Sequence, residues 1–308
     1  MKLKSLLLLI LLIWSCQKKS EEARKPEPKK IEKISFKSIT DEIVSKAVLY
    51  EANIRQYSDE GTFNSFTADL NEIKKMGVKI IWLMPINPIS TTKSKGPLGS
   101  YYAVSDYTKV NPEFGTLEDF KFLVDKAHKL GMYVILDWVP GHTGWDHLWI
   151  NEHSDYYLKN RKGDIIDPID FRTGKSFGWT DVADLDYNNM EMREDLRKAM
   201  IYWVNEANID GYRIDQAYAI PKEFYDKTFA ALKEIKPVFL LAETDIYHPG
   251  GLDLISKFDA SDFQTKISCE VPIKSDQDSL ENSFDTSSVI GIGQSDPSLS
   301  LIFSTTLS

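Results

Sequence analysis

The sequence predicts an α/β fold built on a parallel sheet of the (β/α)8 TIM-barrel type, incomplete at about six βα units. Short apolar runs alternate with segments of helical periodicity, the order that produces parallel strands. The runs are largely apolar on both faces, as in strands covered by helices. Polar residues follow them at their carboxyl ends, where barrel active sites lie. A doubly wound sheet is the alternative, but residues 53–57 (Asn-Ile-Arg-Gln-Tyr) stand where such folds carry a Gly-rich phosphate loop.

The first part of the predicted sheet contains two strands and the helix between them. Residues 47–50 form the buried part of the first strand, which ends near Asn53 and Arg55, and the helix begins at Gly61 and Thr62. Its apolar residues recur at helical spacing: Phe63, Phe66, Leu70 and Ile73. Gly77 ends the helix, and residues 78–84 form the second strand, which is apolar apart from one lysine.

The third strand, at residues 132–138, is followed by the longest predicted connection. Thr116 and Asp119 form a capping box that starts the helix before it. Residues 139–190 are expected to form a small inserted subdomain, because loops of this length are usually functional or inserted units. The remaining elements follow in order: a helix at 191–207, a strand at 212–215, a helix at 222–235, a strand at 238–243 and the start of a sixth strand at 258–260.

Arg213 and Asp215 are the first candidate site residues. They are two positions apart on one predicted strand, so their side chains point to the same side of the sheet. A neighbouring cation lowers the pKa of a carboxyl group, and an ionised aspartate suits attack on the anomeric carbon of a sugar. A purely structural Arg–Asp pair explains this pattern equally well.

Carboxyl groups also end two other predicted strands. Asp137 ends the third strand, with His142 just beyond it, and Glu243 ends the fifth. In a closed barrel these residues converge on the face that carries active sites. Glu243 has no cation near it in the sequence, which suits a proton donor beside Asp215 as nucleophile. A retaining glycosidase needs the two carboxyl groups ~5–5.5 Å apart.

Six motifs occur in order along the chain: GVKIIWLMP (77–85), SYYAVSDY (100–107), DWVPGHT (137–143), DLD (184–186), GYRID (211–215) and LAE (241–243). Together they resemble conserved regions of the alpha-amylase family, glycoside hydrolase family 13. The resemblance covers roughly residues 48–260, and so many motifs in order make it specific.

The resemblance implies a retaining hydrolase of α-glucans such as starch or maltooligosaccharide. Asp215 is implied as the nucleophile and Glu243 as the general acid/base, with Arg213 holding Asp215 ionised. The other implied residues bind substrate or support the site: Tyr102 by stacking on a glucosyl unit, His142 by hydrogen bonding to it, and Asp137 as a supporting carboxylate. No cofactor is required for this chemistry.

The chain departs from the family pattern at two binding positions. Gly141 stands where many members have a calcium-binding asparagine. This argues against a structural calcium site, even though Asp184 matches another ligand position. Ala219 stands where many members have a histidine after the nucleophile, so recognition on the leaving-group side is expected to differ.

The segment after Ser261 lacks the family's fourth motif, a strand ending in His-Asp whose aspartate is a third essential carboxylate. Residues 262–308 contain no Trp or Tyr, and about a third of them are Ser or Thr, unlike a core. Residues 40–261, the partial glycosidase domain, are fewer than the ~250 of a complete barrel. We therefore expect a truncated chain that hydrolyses glucans weakly or not at all; a natural low-complexity tail is the alternative.

The amino-terminal segment predicts export. Residues 1–16 have a Lys-bearing start and an apolar run too short for a bilayer span, as in a signal peptide. The end of this run resembles a bacterial lipoprotein box that lipidates Cys16, with a plain signal peptide as the alternative. Residues 17–39 have the composition of a disordered linker. We expect a lipoprotein anchored to a bacterial membrane, at the outer membrane or cell surface.

Charge and cysteine content limit the partners. The net charge of −9 argues against nucleic acid, because no basic stripe neutralises phosphates. With Cys16 lipidated, Cys269 has no partner for an intramolecular disulfide. A monomer is expected.

Two other functions are compatible with the sequence. A non-catalytic relative that binds glycan or a partner through the same face would explain the missing His-Asp motif. A metal-dependent barrel hydrolase would use His142, Asp146 and His147, although the other strand ends lack histidines.

Overall fold

The computed structural model describes residues 37–44, 46–170 and 173–243, together with three short strands after them. The predicted signal peptide with Cys16, almost all of the predicted linker and the sixth strand predicted at 258–260 lie outside the described residues.

Twelve strands and eight helices follow one another in the described residues. The strands are β1 (Val48–Ala52), β2 (Val78–Leu83), β3 (Tyr133–Trp138), β4 (His142–Gly144), β5 (Ile169–Asp170), β6 (Lys175–Ser176), β7 (Val182–Asp184), β8 (Gly211–Ile214), β9 (Phe239–Glu243), β10 (Thr265–Ile267), β11 (Ser288–Gly291) and β12 (Ile302–Phe303). The helices are α1 (Asp41–Val44), α2 (Ile54–Tyr57), α3 (Phe63–Ala68), α4 (Leu70–Lys75), α5 (Leu117–Lys129), α6 (Leu148–Glu152), α7 (Met190–Ala207) and α8 (Lys222–Ile235), with 3₁₀ turns at Ser154–Tyr156 and Ala217–Ala219.

The main sheet has the strand order β10-β9-β8-β3-β2-β1-β11-β12. Within this sheet, the neighbouring strands β1, β2, β3, β8, β9 and β10 pair in the parallel sense. Strand β11 pairs with β1, and β12 with β11, in the antiparallel sense. Helices α3 to α5, α7 and α8 connect consecutive parallel strands. This confirms the predicted α/β fold: the parallel strands form part of a (β/α)8 barrel.

The parallel strands bury apolar residues on both faces. One face packs against the helices in the larger core, with Tyr50, Ile81, Leu83, Val134, Leu136 and Leu240. Alternate residues form a second core on the opposite face, called here the inner face: Leu49, Ile80, Tyr133, Ile135, Phe239 and Leu241. Because both faces are covered, the strands are apolar for nearly their whole length. The inner face leads to charged residues at the carboxyl ends of the strands.

The helices begin largely where the sequence predicts. The capping box of α5 is confirmed: the Thr116 hydroxyl accepts from the Asp119 N–H, and the Asp119 carboxylate accepts from the Thr116 N–H at 2.8 Å. Helix α8 has the predicted bounds, preceded by Pro221. The single helix predicted after Thr62 is instead two helices, α3 and α4, because the backbone of Asp69 leaves the helical conformation between them (φ −92°, ψ 2°). Within the described ranges, no helix combines the length and apolarity needed to cross a bilayer.

The segment between β3 and α7 forms two small antiparallel sheets, β4–β7 and β5–β6. Strand β4 joins the loop after β2, because the N–H of Gly144 donates to Val104 O at 2.7 Å. A Cβ at Gly144 would lie 2.2 Å from the Cβ of Ser90, so only glycine permits this approach. The pairing of β4 with β7 sets His142 opposite Asp184.

The folded part extends beyond the predicted boundaries at both ends. The linker was expected to reach residue 39, yet Ile39 is buried against the inner face, and Lys37 O accepts a 3.1 Å hydrogen bond from the Tyr133 hydroxyl. Residues 262–308, expected to be an atypical tail, supply β10, β11 and β12. Strand pairing requires only backbone N–H and C=O groups at an open sheet edge, so side-chain composition does not exclude it.

Candidate active site

Charged and aromatic residues continue the inner face at the carboxyl ends of the parallel strands. They are Glu51, Trp82, Asp137, Arg213 and Glu243. Four of them follow an inner-core residue on the same strand by two positions: Leu49, Ile80, Ile135 and Leu241. Because strand side chains alternate with period two, the same alternation that packs the core brings these groups together.

Arg213 is the centre of this cluster. Its side chain is buried, and Nη1 lies 2.8 Å from Asp137 Oδ1 and 3.1 Å from Asp215 Oδ1. Nη2 lies 3.0 Å from Glu243 Oε1. The guanidinium carbon also lies 5.0 Å from the ring centre of Trp82. A planar guanidinium has donors on several edges, so one arginine can bind three carboxylates from three strand ends.

The prediction that Glu243 has no cation near it is wrong. Sequence spacing linked Arg213 only to Asp215, whereas the register of β8 and β9 sets Arg213 opposite Leu241. Glu243 follows two residues later on the same face and reaches the guanidinium. Its other oxygen, Oε2, accepts a 2.9 Å hydrogen bond from the backbone N–H of Gln216. Both carboxyl oxygens of Glu243 therefore have donors.

Asp215 lies immediately after β8 and is held by its backbone N–H, which donates to Trp138 O at 2.9 Å. Burial raises the pKa of the Asp215 carboxyl well above its usual range; Arg213 opposes the rise, and Asp137 and Glu243 add to it. Arg213 therefore lowers the Asp215 pKa as predicted, but burial and the neighbouring carboxyl groups outweigh its effect. The physical reason is that one guanidinium is shared among several buried carboxyl groups.

Asp137 is completely enclosed by its partners. Oδ1 accepts from Arg213, while Oδ2 accepts from the indole of Trp82 and the hydroxyl of Tyr102, each at 3.2 Å. Burial raises the pKa of Asp137, and the charge and hydrogen bond of Arg213 oppose the rise. With both oxygens occupied, Asp137 is placed to orient Arg213 and Tyr102.

Glu51 is a fourth carboxyl group in the cluster, and sequence reasoning missed it. The first strand was predicted to end near Asn53 and Arg55, which agrees with β1 ending at Ala52, but Glu51 on its inner face was not singled out. Burial raises the pKa of Glu51 to about 7; Asp137 adds to the rise, and Arg213 opposes it. Following the period-two alternation of the predicted strand from Leu49 would have identified Glu51.

A cleft of about 400 Å³ opens beside the cluster. Its lining includes Asp215 and Gln216 just after β8, His142 on β4, and Lys95, Tyr102, Trp179 and Asp181 from the surrounding loops. Burial lowers the pKa of His142 to about 4, although Asp181 opposes the change. His142 is therefore neutral at pH 7 and available as a hydrogen-bond partner. The cleft thus brings Tyr102, His142 and Asp215, three of the predicted site residues, to one surface.

Comparison with known proteins identifies the family. The model of the alpha-amylase catalytic domain matches residues 33–236. The chain belongs to the alpha-amylase catalytic-domain family. The curated proteins that it resembles include an alpha-amylase and an oligo-1,6-glucosidase.

Alpha-amylase relatives extend well beyond the matched region. Alpha-amylase 3 of Dictyoglomus thermophilum is 30% identical over 222 residues, covering 64% of this chain and 43% of that protein. The crystal structure of an alpha-amylase from Lactobacillus plantarum is similar with 37% identity and a TM-score of 0.62, over 67% of this chain and 47% of the other. The alpha-amylase of Geobacillus thermoleovorans, solved in complex with acarbose, has 31% identity and a TM-score of 0.55 over 65% of this chain and 46% of the other. The chain spans under half the length of each.

The calcium position of the alpha-amylase family does not fit a metal ion in this chain. Asp184 lines a separate cleft of about 210 Å³ together with Gly141 and Ala219, neither of which has a side-chain oxygen. Burial raises the pKa of Asp184 to about 7, and its Oδ2 has no hydrogen-bond partner. The nearby Asp186 carboxylate is already used by the amide of Asn188. The two carboxyl groups of this cleft supply fewer oxygens than the six to eight that a calcium ion takes.

The metal-hydrolase hypothesis also finds no support in the alpha-amylase fold of this chain. His142 lines the main cleft, whereas Asp146 Oδ2 accepts from the Thr91 N–H at 2.8 Å and His147 Nδ1 accepts from the Trp149 N–H at 3.2 Å. Across the part of the chain that the structure describes, no group of three His, Cys, Asp or Glu side chains is arranged to hold a metal ion.

Proposed function

We propose that the protein cleaves α-glucans such as starch or maltooligosaccharide with retention, using Asp215 as nucleophile and Glu243 as general acid/base. One observation carries the proposal: Arg213 holds Asp137, Asp215 and Glu243 together at the carboxyl ends of three parallel strands, and Asp215 opens into the cleft. Two neighbouring carboxyl groups are the minimum apparatus of a retaining glycosidase.

In the first step a carboxylate oxygen of Asp215 forms a bond to the anomeric carbon, and the bond from that carbon to the leaving oxygen breaks. Glu243 gives its proton to the leaving oxygen. In the second step Glu243 removes a proton from water, the water oxygen bonds to the anomeric carbon, and the bond to Asp215 breaks. Two inversions at one carbon give net retention. The predicted carboxyl separation of ~5–5.5 Å stays a prediction.

The surrounding residues are assigned supporting roles. Arg213 stabilises the carboxylate of Asp215 when it leaves the sugar, because its guanidinium lies 3.1 Å away. Neutral His142 and Tyr102 face the cleft and would contact the glucosyl unit. The Asp137 carboxyl fixes the Tyr102 hydroxyl. The acarbose complex of the Geobacillus thermoleovorans relative supports an α-glucan-like ligand.

We also propose that hydrolysis by these 308 residues is weak. The carboxyl groups found at this end of the described sheet are Glu51, Asp137, Asp215 and Glu243, and none of them follows a histidine as the family's third essential aspartate does. Without that group, the glucosyl unit loses a hydrogen-bond partner that would strengthen in the transition state.

A second candidate function is glycan binding without cleavage. The contacts of Glu243 favour it, since Oε1 is bound to Arg213 and Oε2 accepts from Gln216. A proton donor must release one of these partners before it can protonate a leaving group. The two functions make opposite predictions about a covalent intermediate.

The decisive experiment uses the 308-residue chain and an activated 2-fluoro α-glucosyl substrate, followed by mass spectrometry of peptides. Catalysis predicts a glycosyl adduct on the peptide that contains Asp215, and α-configured first products from maltoheptaose. Asp215→Asn should lower cleavage by about a thousandfold or more. Asp125→Asn, at an exposed position on α5, is the matched control and should leave cleavage unchanged. Binding of maltoheptaose without any adduct would support the second function instead.

Export and anchoring complete the proposal. The sequence of residues 1–16 supports a lipoprotein signal, with lipid attached at Cys16 and the domain held at a bacterial membrane surface. Incorporation of labelled fatty acid by the full chain, lost in Cys16→Ser, tests this part separately from catalysis.

A further inference from the structure

Two aromatic rings are stacked at the rim of the main cleft. The rings of Phe177 and Trp179 lie 4.9 Å apart with an interplanar angle of 25°. Phe177 is 44% exposed, and Trp179 is partly buried and lines the cleft. Exposed aromatic surface has a cost in water, so a stacked pair beside a cleft points to a ligand that covers it.

The pair adjoins the residues assigned to the glucosyl site. The ring of Trp179 lies 6.1 Å from the ring of His142, at an angle of 60°. Trp179, His142, Tyr102 and Asp215 all line the same cleft. The cleft therefore gives a ligand longer than one sugar unit a continuous path from Asp215 to Trp179.

The segment that carries the pair is fixed in place by two other loops. Lys95, from the loop after β2, donates to Gly178 O at 2.8 Å and pairs with Asp181 at 3.1 Å. The Phe177 N–H donates to Pro168 O at 3.0 Å. The pair is therefore held between anchored backbone positions, which lowers the ordering cost of binding.

A second tryptophan strengthens the same wall of the cleft. The indole of Trp145 donates to Thr180 O at 3.0 Å, next to Trp179 in the chain. The ammonium of Lys93 lies 3.1 Å from the centre of the Trp145 ring, which links this wall to the loop after β2. These contacts within the protein account for the position of Trp145, whereas the ring of Phe177 keeps a surface exposed to solvent.

The chemistry of the rim suits a sugar chain. A pyranose ring has a face of C–H groups that packs on an aromatic ring, and hydroxyl groups at its edge that need donors and acceptors. Lys95 and Asp181 supply a cation and a carboxylate beside Trp179. Pockets that combine aromatic surface with a few polar groups bind ligands of this mixed character.

We propose that Phe177 and Trp179 form a stacking platform for a second glucosyl unit of the same α-glucan, adjoining the unit bound at Asp215. The platform makes the site select oligosaccharides over substrates with a single glucosyl unit. This inference rests on the proposed function for its substrate class, but binding at the platform is measured independently of cleavage.

The test compares four variants of the full 308-residue chain: Trp179→Ala, Trp179→Phe, Phe177→Ala and Phe122→Ala. Phe122 is the matched control, because it is an exposed phenylalanine on α5 away from the cleft. Calorimetric titration with maltoheptaose should show affinity about tenfold lower for Trp179→Ala and a few-fold lower for Phe177→Ala. Trp179→Phe should keep most of the affinity, and Phe122→Ala all of it.

Cleavage adds a second readout. Trp179→Ala should lower kcat/KM for maltoheptaose and leave kcat/KM for 4-nitrophenyl α-glucoside within about twofold. Equal losses on both substrates, or unchanged maltoheptaose binding in both alanine variants, would overturn the platform. If Trp179→Ala does not fold by circular dichroism, Phe177→Ala decides the outcome, because Phe177 is 44% exposed and Trp179 is more buried.

The two proposals fail in distinguishable ways. A wild-type chain that binds maltoheptaose through Trp179 but cleaves nothing refutes catalysis and keeps the platform. A chain that cleaves maltoheptaose equally well with and without the aromatic pair keeps catalysis and refutes the platform. A wild-type chain that does not bind maltoheptaose at all refutes the platform.

Discussion

At the scale of single residues, the site depends on one guanidinium. Arg213 contacts Asp137, Asp215 and Glu243, and Glu51 adds a fourth carboxyl group to the same enclosure. Buried carboxyl groups so close together cannot all be ionised beside one cation, so protons remain in the cluster near neutral pH. This retention of protons has a measurable consequence for stability.

The pH dependence of Glu51 tests the cluster. Its pKa is 4.5 when free and about 7 in the folded protein, so the folded state binds this proton more tightly. The stabilisation is fully present below pH 4.5 and is lost as pH rises through about 7. Glu51→Gln cannot ionise, so relative to wild type it should gain about 2 kcal/mol between pH 4.5 and pH 8, after allowance for solvent screening.

Urea unfolding at several pH values measures this gain. Glu152→Gln, at an exposed position at the end of α6, is the matched control and should run parallel to wild type. A Glu51→Gln curve that also runs parallel to wild type would show that Glu51 lies outside the buried cluster.

Some of these residues and contacts could be predicted from the sequence and others could not, for physical reasons. Asp215 and Arg213 are recognisable because their spacing on one strand fixes a common side. The contact between Arg213 and Glu243 depends on the register between two strands, which local sequence does not contain. The direction of the Asp215 pKa depends on burial and on how many carboxyl groups share the cation, both of which are tertiary properties.

At the scale of elements, the close approach of β8 and β9 places Arg213 beside Glu243. Gly211 begins β8 with φ +148°, and a Cβ at this position would lie 1.8 Å from Phe239 O. No side chain fits there without separating the two strands. The glycine of the GYRID motif is therefore required by the backbone on which the site is built.

Gly211→Ala should destabilise the protein by about 3 kcal/mol and lower cleavage, because β8 must move away from β9. Gly163→Ala is the matched control: Gly163 also has a positive φ, +89°, but a Cβ there has no neighbour within 4 Å. It should cost only about 1 kcal/mol of backbone strain. Thermal unfolding and maltoheptaose cleavage measure both effects, and equal costs for the two variants would contradict the predicted strand clash.

Element bounds are predictable where local chemistry sets them. The Thr116 capping box starts α5, and residues 222–235 carry the helical pattern of α8, so both agree with the structure. The division of α3 from α4 at Asp69 has no strong local signal. Strands β11 and β12 were not predicted for a different reason. Strand β11 pairs with the edge of β1, and β12 with β11, through backbone hydrogen bonds, which amino-acid composition does not reveal.

At the scale of the whole molecule, direct hydrogen bonds close the junction where the segment between β3 and α7 leaves and rejoins the barrel. The Leu185 N–H donates to Gly141 O at 3.0 Å, and the Tyr187 hydroxyl donates to Pro140 O at 2.9 Å. The Gly144 N–H donates to Val104 O and so ties the segment to the loop after β2. The position that matches the family's calcium site lies beside these bonds, in a cleft with two carboxyl groups, Asp184 and Asp186.

The protein should therefore keep its stability without calcium. Because hydrogen bonds of the chain itself hold this junction, excess EDTA should leave Tm within about 1 °C, and added calcium should not raise it. Asp184→Asn should change the free energy of unfolding by less than about 1 kcal/mol, since Oδ2 of Asp184 has no partner to lose. Differential scanning calorimetry with and without EDTA makes the measurement. Asp181→Asn is the comparison variant, because it removes the charge that pairs with Lys95 and should lower Tm at either calcium concentration. A fall of several degrees on chelation, abolished by Asp184→Asn, would show that this junction does bind a metal ion.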